Sequence, residues 1–271
     1  MKKEISILGC GWLGLPLGKE LCNNGYQVNG STTNPENIYS LEQAGIKPYL
    51  IKLTPALDEA QASDFFDSKI LIIAIPPKSK TYGDAWHINQ IKSLLTHING
   101  KGIEQVIYIS STSVYPALNK TVTEVEVSQV KESANQAMVQ AEILLNNCEK
   151  FNTLILRCGG LLGYNRIPGK YFQGKQLTGG NTPVNYIHRD DVVQIVKTLI
   201  ESDKKNEVYN LVTPIHPLRK DIYLKNVKDY NLIPPIFLEG KKSYKVVDSS
   251  KLIQDLNYSF LYPDPLNFDY Q

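Results

Sequence analysis

The chain carries almost no net charge: 271 residues hold 29 Lys and Arg against 27 Asp and Glu, a formal +2. There is no basic stripe. Lys204-Lys205 and Lys241-Lys242 are isolated pairs with the pattern of solvated loop charges, so nucleic acid is not expected as a partner. Cysteine is scarce, with Cys10, Cys22, Cys148 and Cys158 forming no C-x-x-C pair and lying near no His at metal spacing. A disulfide framework or a zinc site is not expected, and reduced core thiols in the cytoplasm are. No apolar run approaches the length of a membrane span. Met1-Lys2-Lys3 leads straight into a strand pattern with Glu4, which does not fit a signal peptide. Arginine is missing before Arg157, and internal repeats, linkers and low-complexity tracts are missing throughout. The remainder, 42% hydrophobic and 21% charged, has the composition of a soluble globular chain.

Against that background stands Gly9-Cys10-Gly11-Trp12-Leu13-Gly14. The apolar run Ile5-Ser6-Ile7-Leu8 before it reads as a buried strand, and Leu13, Leu17 and Leu21 after it fall on one helical face. Strand, glycine turn and helix form the context in which G-x-G-x-x-G binds a dinucleotide. Gly9 permits the tight turn, Gly11 admits a pyrophosphate to the backbone, and Gly14 lets the helix lie close to the strand. The helix start, with Trp12 and Leu13, offers N–H groups and partial positive charge to the phosphates.

Tyr26 to Gly30 reads as the next strand. An acid at its tip would bind the ribose hydroxyls of NAD and repel a 2′-phosphate. The tip is instead Gly30-Ser31-Thr32-Thr33-Asn34, with Asn34-Pro35 as N-cap and first helical residue. NADP is preferred on this pattern, NAD being the alternative, with Glu36 and the lack of arginine counting against the preference. A third strand is expected over 46–53. Lys69 to Ile75 is an unbroken apolar run, as in a central parallel strand buried on both faces. Pro76-Pro77 ends it, and Ile75 and Pro76 are expected beside the dinucleotide. A helix is expected over 83–98, with Tyr82 and His87 near its start facing the cleft. His87 is a spare candidate only, since a lone His there is usually a packing residue. Gln105 to Ile109 is a further buried strand, followed by Ser110-Ser111-Thr112-Ser113-Val114-Tyr115.

G-x-G-x-x-G near the start, then a strand ending in S-S-T-S-V-Y, resembles the extended short-chain dehydrogenase/reductases, which include the NAD-dependent epimerases and dehydratases of nucleotide sugars. Leu154-Ile155-Leu156-Arg157 with Gly159-Gly160-Leu161-Leu162-Gly163, and Asn185 to Val192, resemble that family's later landmarks. The resemblance implies an α/β fold, a Rossmann-type doubly wound parallel sheet with a small C-terminal substrate lobe. It implies a dinucleotide-binding part over 1–160, completed by roughly 189–212, and an interleaved substrate lobe over 161–271. Ser110 is then a cofactor neighbour and Ser111 the family's catalytic Ser, unless it merely caps local backbone. Thr112, Tyr115 and Arg166 are candidate substrate contacts. The implied partner is a small molecule, a nucleotide sugar in many relatives, and a homodimer through the helix expected over 132–147 is a family habit.

One departure limits the chemistry. The family places Tyr-x-x-x-Lys on that helix, the Tyr exchanging a proton and the Lys lowering its pKa. Aligned through Glu142, those positions hold Ala134 and Met138, and there is no Tyr between Tyr115 and Tyr164. Tyr171 to Lys175 has the spacing but lies beyond the Arg157 strand and contains Gly174. Tyr82, Tyr115 and Tyr164 are the phenols available as substitutes. Two readings stay open: an oxidoreductase or epimerase that is weak or uses a substituted acid, and a non-catalytic dinucleotide-dependent sensor or scaffold. Asp190 or Asp191 is expected to cap the helix through Ile200, with His188 supporting the turn. Helices are expected over 217–230 and 249–256, a short strand over 245–247, and an irregular tail from Tyr258.

Overall fold

The computed structural model describes residues 3–57 and 64–270. Met1, Lys2 and Gln271, placed by the sequence before the first strand and at the end of the tail, lie outside them. The elements run β1 Glu4–Leu8, α1 Gly14–Asn23, β2 Gln27–Thr32, α2 Ile38–Gln43, β3 Lys47–Leu50, β4 Ile70–Ile73, α3 Ser79–Tyr82, α4 Asp84–Ile98 and β5 Gln105–Ser111. They continue β6 Lys120–Val122, α5 Gln136–Asn146, β7 Asn152–Cys158, β8 Gly160–Leu162, α6 Pro168–Phe172, β9 Gln176–Leu177, β10 Tyr186–His188 and α7 Arg189–Glu201. The last are β11 Glu207–Leu211, α8 Arg219–Tyr230, β12 Ile236–Phe237, β13 Lys245–Val247 and α9 Ser250–Leu256. None of the described helices is long and apolar enough to cross a membrane.

A parallel sheet runs in the order β11-β7-β5-β4-β1-β2-β3. Its centre is aliphatic because parallel strands are covered on both faces: Ile70 to Ile73 are all buried, paired as Ile7↔Ile72 and Ile72↔Ile107. Chain order reverses at β1, which lies between β2 and β4. At such a switch point the strand ends diverge and leave a crevice for ligands. The fold class is thus the doubly wound α/β arrangement.

The chain divides into two compact units. The first comprises Met1–Val114, Val127–Leu156 and Asp203–Val208; the second comprises Tyr115–Glu126, Arg157–Ser202 and Tyr209–Gln271. Residues 203–208 fall in the first unit and α7 in the second. That unit is built around short parallel pairs, β10 with β8, β12 with β9 and β13 with β6.

Several expectations need correcting. The third strand is only Lys47–Leu50. The helix expected from Glu132 starts at Gln136: Val130–Glu132 is a separate 3-10 turn, and Asn135 caps α5 by accepting the Met138 N–H. His188, not Asp190 or Asp191, caps α7, its Nδ1 accepting the Asp190 N–H. The Asp191 carboxylate instead accepts the N–H groups of Leu261 and Tyr262 and the Tyr258 hydroxyl. The tail is correspondingly pinned, with Phe268 and Tyr270 buried beside Leu162 and Ile167.

Candidate functional site

The glycine turn is shaped by its neighbours. Gly9 has φ +104°, a region L side chains avoid. A Cβ there would also stand 3.1 Å from the backbone of Ala74 and from the Ile75 side chain. The Ala74 N–H donates to the Leu8 carbonyl at 2.9 Å, so the ends of β1 and β4 meet at this turn. A Cβ on Gly14 would lie 2.3 Å from the Gly9 carbonyl oxygen, so only glycine lets α1 begin here. A Cβ on Gly11, by contrast, would meet nothing within 4 Å. No side chain caps α1, and its first turn holds no acid. Positive dipole, open backbone and no competing anion together fit a pyrophosphate.

The tip of β2 is largely committed to this turn. Buried Ser31 accepts the Gly9 N–H on its hydroxyl at 2.9 Å and the Cys10 N–H on its carbonyl at 2.7 Å. The Thr32 hydroxyl donates to the Asn34 carbonyl and accepts its N–H. Asn34 caps the turn Pro35–Asn37 by accepting the Glu36 N–H. Thr33 is the hydroxyl left exposed at the tip. Cys10 packs against the position of Gly30, and burial pushes its thiol up to about 12, so it is inert. Trp12 and Ile75 are half-buried, Leu13 buried and Pro76 exposed.

The end of β5 forms a second group. Ser110 is buried and its hydroxyl donates to the Glu142 carboxylate. Ser111, half-buried, accepts the Ser113 N–H on its hydroxyl at 3.1 Å. Thr112 is buried. Asn135 donates through Nδ2 to the Ser113 hydroxyl at 3.0 Å, and the Ser133 hydroxyl and the Ala134 N–H both donate to the Val114 carbonyl. Ala134 is exposed while Met138 is buried, its sulfur 3.6 Å from the Tyr108 hydroxyl. His87 does not face a cleft: it is 0% exposed, with Nε2 2.6 Å from the Tyr108 hydroxyl and Nδ1 3.2 Å from the Gln90 side-chain oxygen. The Gln90 amide donates to the Leu53 carbonyl, which leaves its oxygen to accept Nδ1–H and makes Nε2 the acceptor of the Tyr108 proton.

In the second unit, Tyr115 is buried. Its hydroxyl donates to Asn210 at 2.7 Å and accepts from Arg157 at 2.9 Å, and burial pushes its pKa up to about 12. The Lys245 ammonium donates to the Tyr115 carbonyl. Tyr164 donates to Asp190 at 2.6 Å under the Arg189 guanidinium. Arg166 is half-buried, its N–H bonded to the Gly163 carbonyl. Tyr171 is exposed, and Lys175 donates to its carbonyl rather than to its phenol. In the first unit, exposed Tyr82 stacks on Trp86.

A sequence profile described as NAD(P)H-binding matches residues 9–203. The chain belongs to the NAD(P)H-binding family. It is 32% identical over 268 residues to Protein YeeZ of Escherichia coli K12, an alignment spanning 97% of this chain and 98% of that protein. Among solved structures it resembles UDP-glucose 4-epimerase of Thermotoga maritima, solved with UDP-glucose: TM-score 0.77, 16% identity, covering 95% of this chain and 94% of the other. A short-chain dehydrogenase/reductase superfamily protein of Agrobacterium tumefaciens with bound NAD gives TM-score 0.76 at 15% identity over 96% of this chain and 93% of the other. The fold is therefore that of the extended, epimerase-like short-chain dehydrogenase/reductases. A nicotinamide dinucleotide is the family's cofactor, and the glycine turn fits it.

Two further residues shape this region without a motif to mark them. Gly18 is one: a Cβ there would lie 2.5 Å from the Ile46 side chain, so the approach of α1 to the sheet needs a glycine one turn after Gly14. Asn135 is another, hidden because Glu132 mimics a first-turn acid. Its carboxylate in fact closes a local capping box, accepting the Ser128 and Gln129 N–H groups.

Proposed function

We propose that this chain binds NADP in preference to NAD at the glycine turn and acts on a nucleotide sugar at the Ser111 end of β5, as an oxidoreductase or epimerase-type protein without the family's phenol–ammonium pair. The observation that carries it is the pairing of an open, uncapped α1 start with solvent-accessible hydroxyls at Ser111 and Ser113. Gly9, Gly11, Trp12, Leu13 and Gly14 would hold the diphosphate, with Ile75, Pro76 and Ser110 alongside. The preference for NADP rests on Thr33 and on the lack of an acid at the β2 tip. When bound, the dinucleotide supplies hydride transfer. The chain's own share is to orient the substrate oxygen through Ser111. Ala134 and Met138 exchange no proton at ordinary pH, so about 10²–10⁴ of the usual rate is forfeited. Arg166 is proposed as a substrate contact, and pairing of two copies through α5 on the family pattern.

A second reading, a dinucleotide-dependent sensor docking another protein, draws on the burial of Met138 at the expected ammonium position. Fluorescence titration with NADPH and NADH, then NADPH-coupled turnover with UDP-sugars, separates the two. Slow turnover abolished by Ser111→Ala supports the enzyme; binding with no turnover in either protein supports the sensor. No binding of either dinucleotide overturns both.

A further inference from the structure

Three residues of the first unit, none of them ionisable near neutral pH, are joined by two separate hydrogen bonds at the end of β5. The Asn135 amide donates to the Ser113 hydroxyl at 3.0 Å. The Ser113 backbone N–H in turn donates to the Ser111 hydroxyl at 3.1 Å. The orientation of the Asn135 amide follows from chemistry: its Oδ1 must accept the Met138 N–H at the start of α5, so its NH₂ faces Ser113. Each hydroxyl therefore receives a proton on a lone pair and keeps its own proton to give away. Donation into an oxygen also polarises its O–H and strengthens the next bond.

The surroundings hold this arrangement. Ser133 donates its hydroxyl to the Val114 carbonyl and accepts the Asn135 N–H, which ties the entry of α5 to the end of β5. The neighbouring carboxylate in sequence, Glu132, is engaged by Ser128 and Gln129. Residues 111–114 and 133–138 contain no acid, phenol, imidazole or ammonium. Ser113 and Ala134 are exposed, Ser111 and Asn135 half-buried, so the two hydroxyl protons face an accessible edge.

We propose that Asn135 is a positioning residue that sets the Ser113 hydroxyl as a donor beside Ser111, making the end of β5 a cradle for a sugar oxygen. The chemistry it selects is an acceptor, a keto or hydroxyl oxygen of the sugar ring. The proposal rests on the nucleotide-sugar reading above and deepens it.

The test is calorimetric titration of the full-length protein with UDP-glucose and with UDP, which lacks the sugar. Asn135→Asp keeps the oxygen that caps α5, and Asp caps as well as Asn. It replaces the NH₂ by a carboxylate that takes the Ser113 proton away from the ligand. The wild type is expected to bind UDP-glucose more tightly than UDP. Asn135→Asp should lose about tenfold of that sugar-dependent gain, the scale of one hydrogen bond, with UDP affinity and thermal midpoint unchanged. Ser113→Ala, an exposed site, should lose part of the same gain and serves if the Asp variant folds poorly. An unchanged ratio of the two affinities in both variants overturns the role of Asn135 and leaves the substrate class standing. A wild type that binds UDP-glucose no more tightly than UDP overturns both.

Discussion

The Ser31 hydroxyl accepts the Gly9 N–H at 2.9 Å and so ties the tip of β2 to the glycine turn. It thus braces the turn. Ser31→Ala takes this partner from the half-buried Gly9 N–H and is expected to cost about 1 kcal/mol of stability. NADPH and NADH affinities should fall together. Thr33→Val, at the exposed hydroxyl of the same tip, should weaken NADPH alone. Urea denaturation and fluorescence titration check both, and a selective NADPH loss in Ser31→Ala would reverse the assignment.

Gly11 and Gly14, three residues apart in the same motif, should fail differently. Gly14→Ala puts a methyl 2.3 Å from a backbone carbonyl that cannot yield, so α1 must shift, and both thermal stability and dinucleotide binding should drop. Gly11→Ala meets nothing within 4 Å and should melt like the wild type. Its methyl would occupy the approach of the pyrophosphate, so NADPH affinity should fall by at least about tenfold, roughly 1.4 kcal/mol. A Gly11→Ala protein that binds NADPH normally would remove the diphosphate from this turn.

Local pattern made much of this legible. The glycine turn, the run Ile70–Ile73 and the short strand Lys245–Val247 are each set by residues adjacent in sequence. His87 was legible too, in principle: with Ile91, Leu94 and Ile98 it lies on the buried face of α4, and its place in that spacing, not its chemistry, foretold burial. What local pattern does not encode is the partner. Tyr108 lies 21 residues away from His87, and Asp191 reaches Leu261 across 70 residues. An acid in a first turn looks like a cap whether it caps or is recruited by a distant loop. The start of α5 was obscured in the same way, because Ser133 and Ala134 are held out of the helix by the Val114 carbonyl.

The His87–Tyr108 pair predicts an acid limb. Burial lowers the His87 pKa from its ordinary 6.5, so the folded state binds fewer protons than the unfolded one between the two values. Stability is then full above pH 6.5 and is lost as pH falls toward the lowered folded value. His87→Gln should flatten this limb relative to the wild type, the comparison cancelling His216, which burial also lowers. Tyr108→Phe removes the proton that His87 Nε2 accepts and should cost about 1–3 kcal/mol at neutral pH. Chemical denaturation as a function of pH reads both, and an acid limb unchanged in His87→Gln would mean that burial does not lower the His87 pKa.

Lys245 should act in the opposite pH range. Its ammonium rests on the Tyr115 carbonyl, and burial pulls its pKa down from 10.5 to about 8. Below pH 8 the fold carries a poorly solvated charge that the unfolded chain hydrates freely, an unfavourable contribution. Between pH 8 and 10.5 the folded protein sheds this proton while the unfolded chain retains it, so the unfolded state binds more protons and this group's contribution to stability rises with pH. Lys245→Met removes the charge and the titration together. The stability of the wild type relative to the variant should therefore climb through that window, whatever the other lysines do, since they are common to both proteins. Urea midpoints across it provide the measurement. A difference that stays level would mean that the ammonium is solvated and titrates near its ordinary value, with the Tyr115 carbonyl as an incidental neighbour.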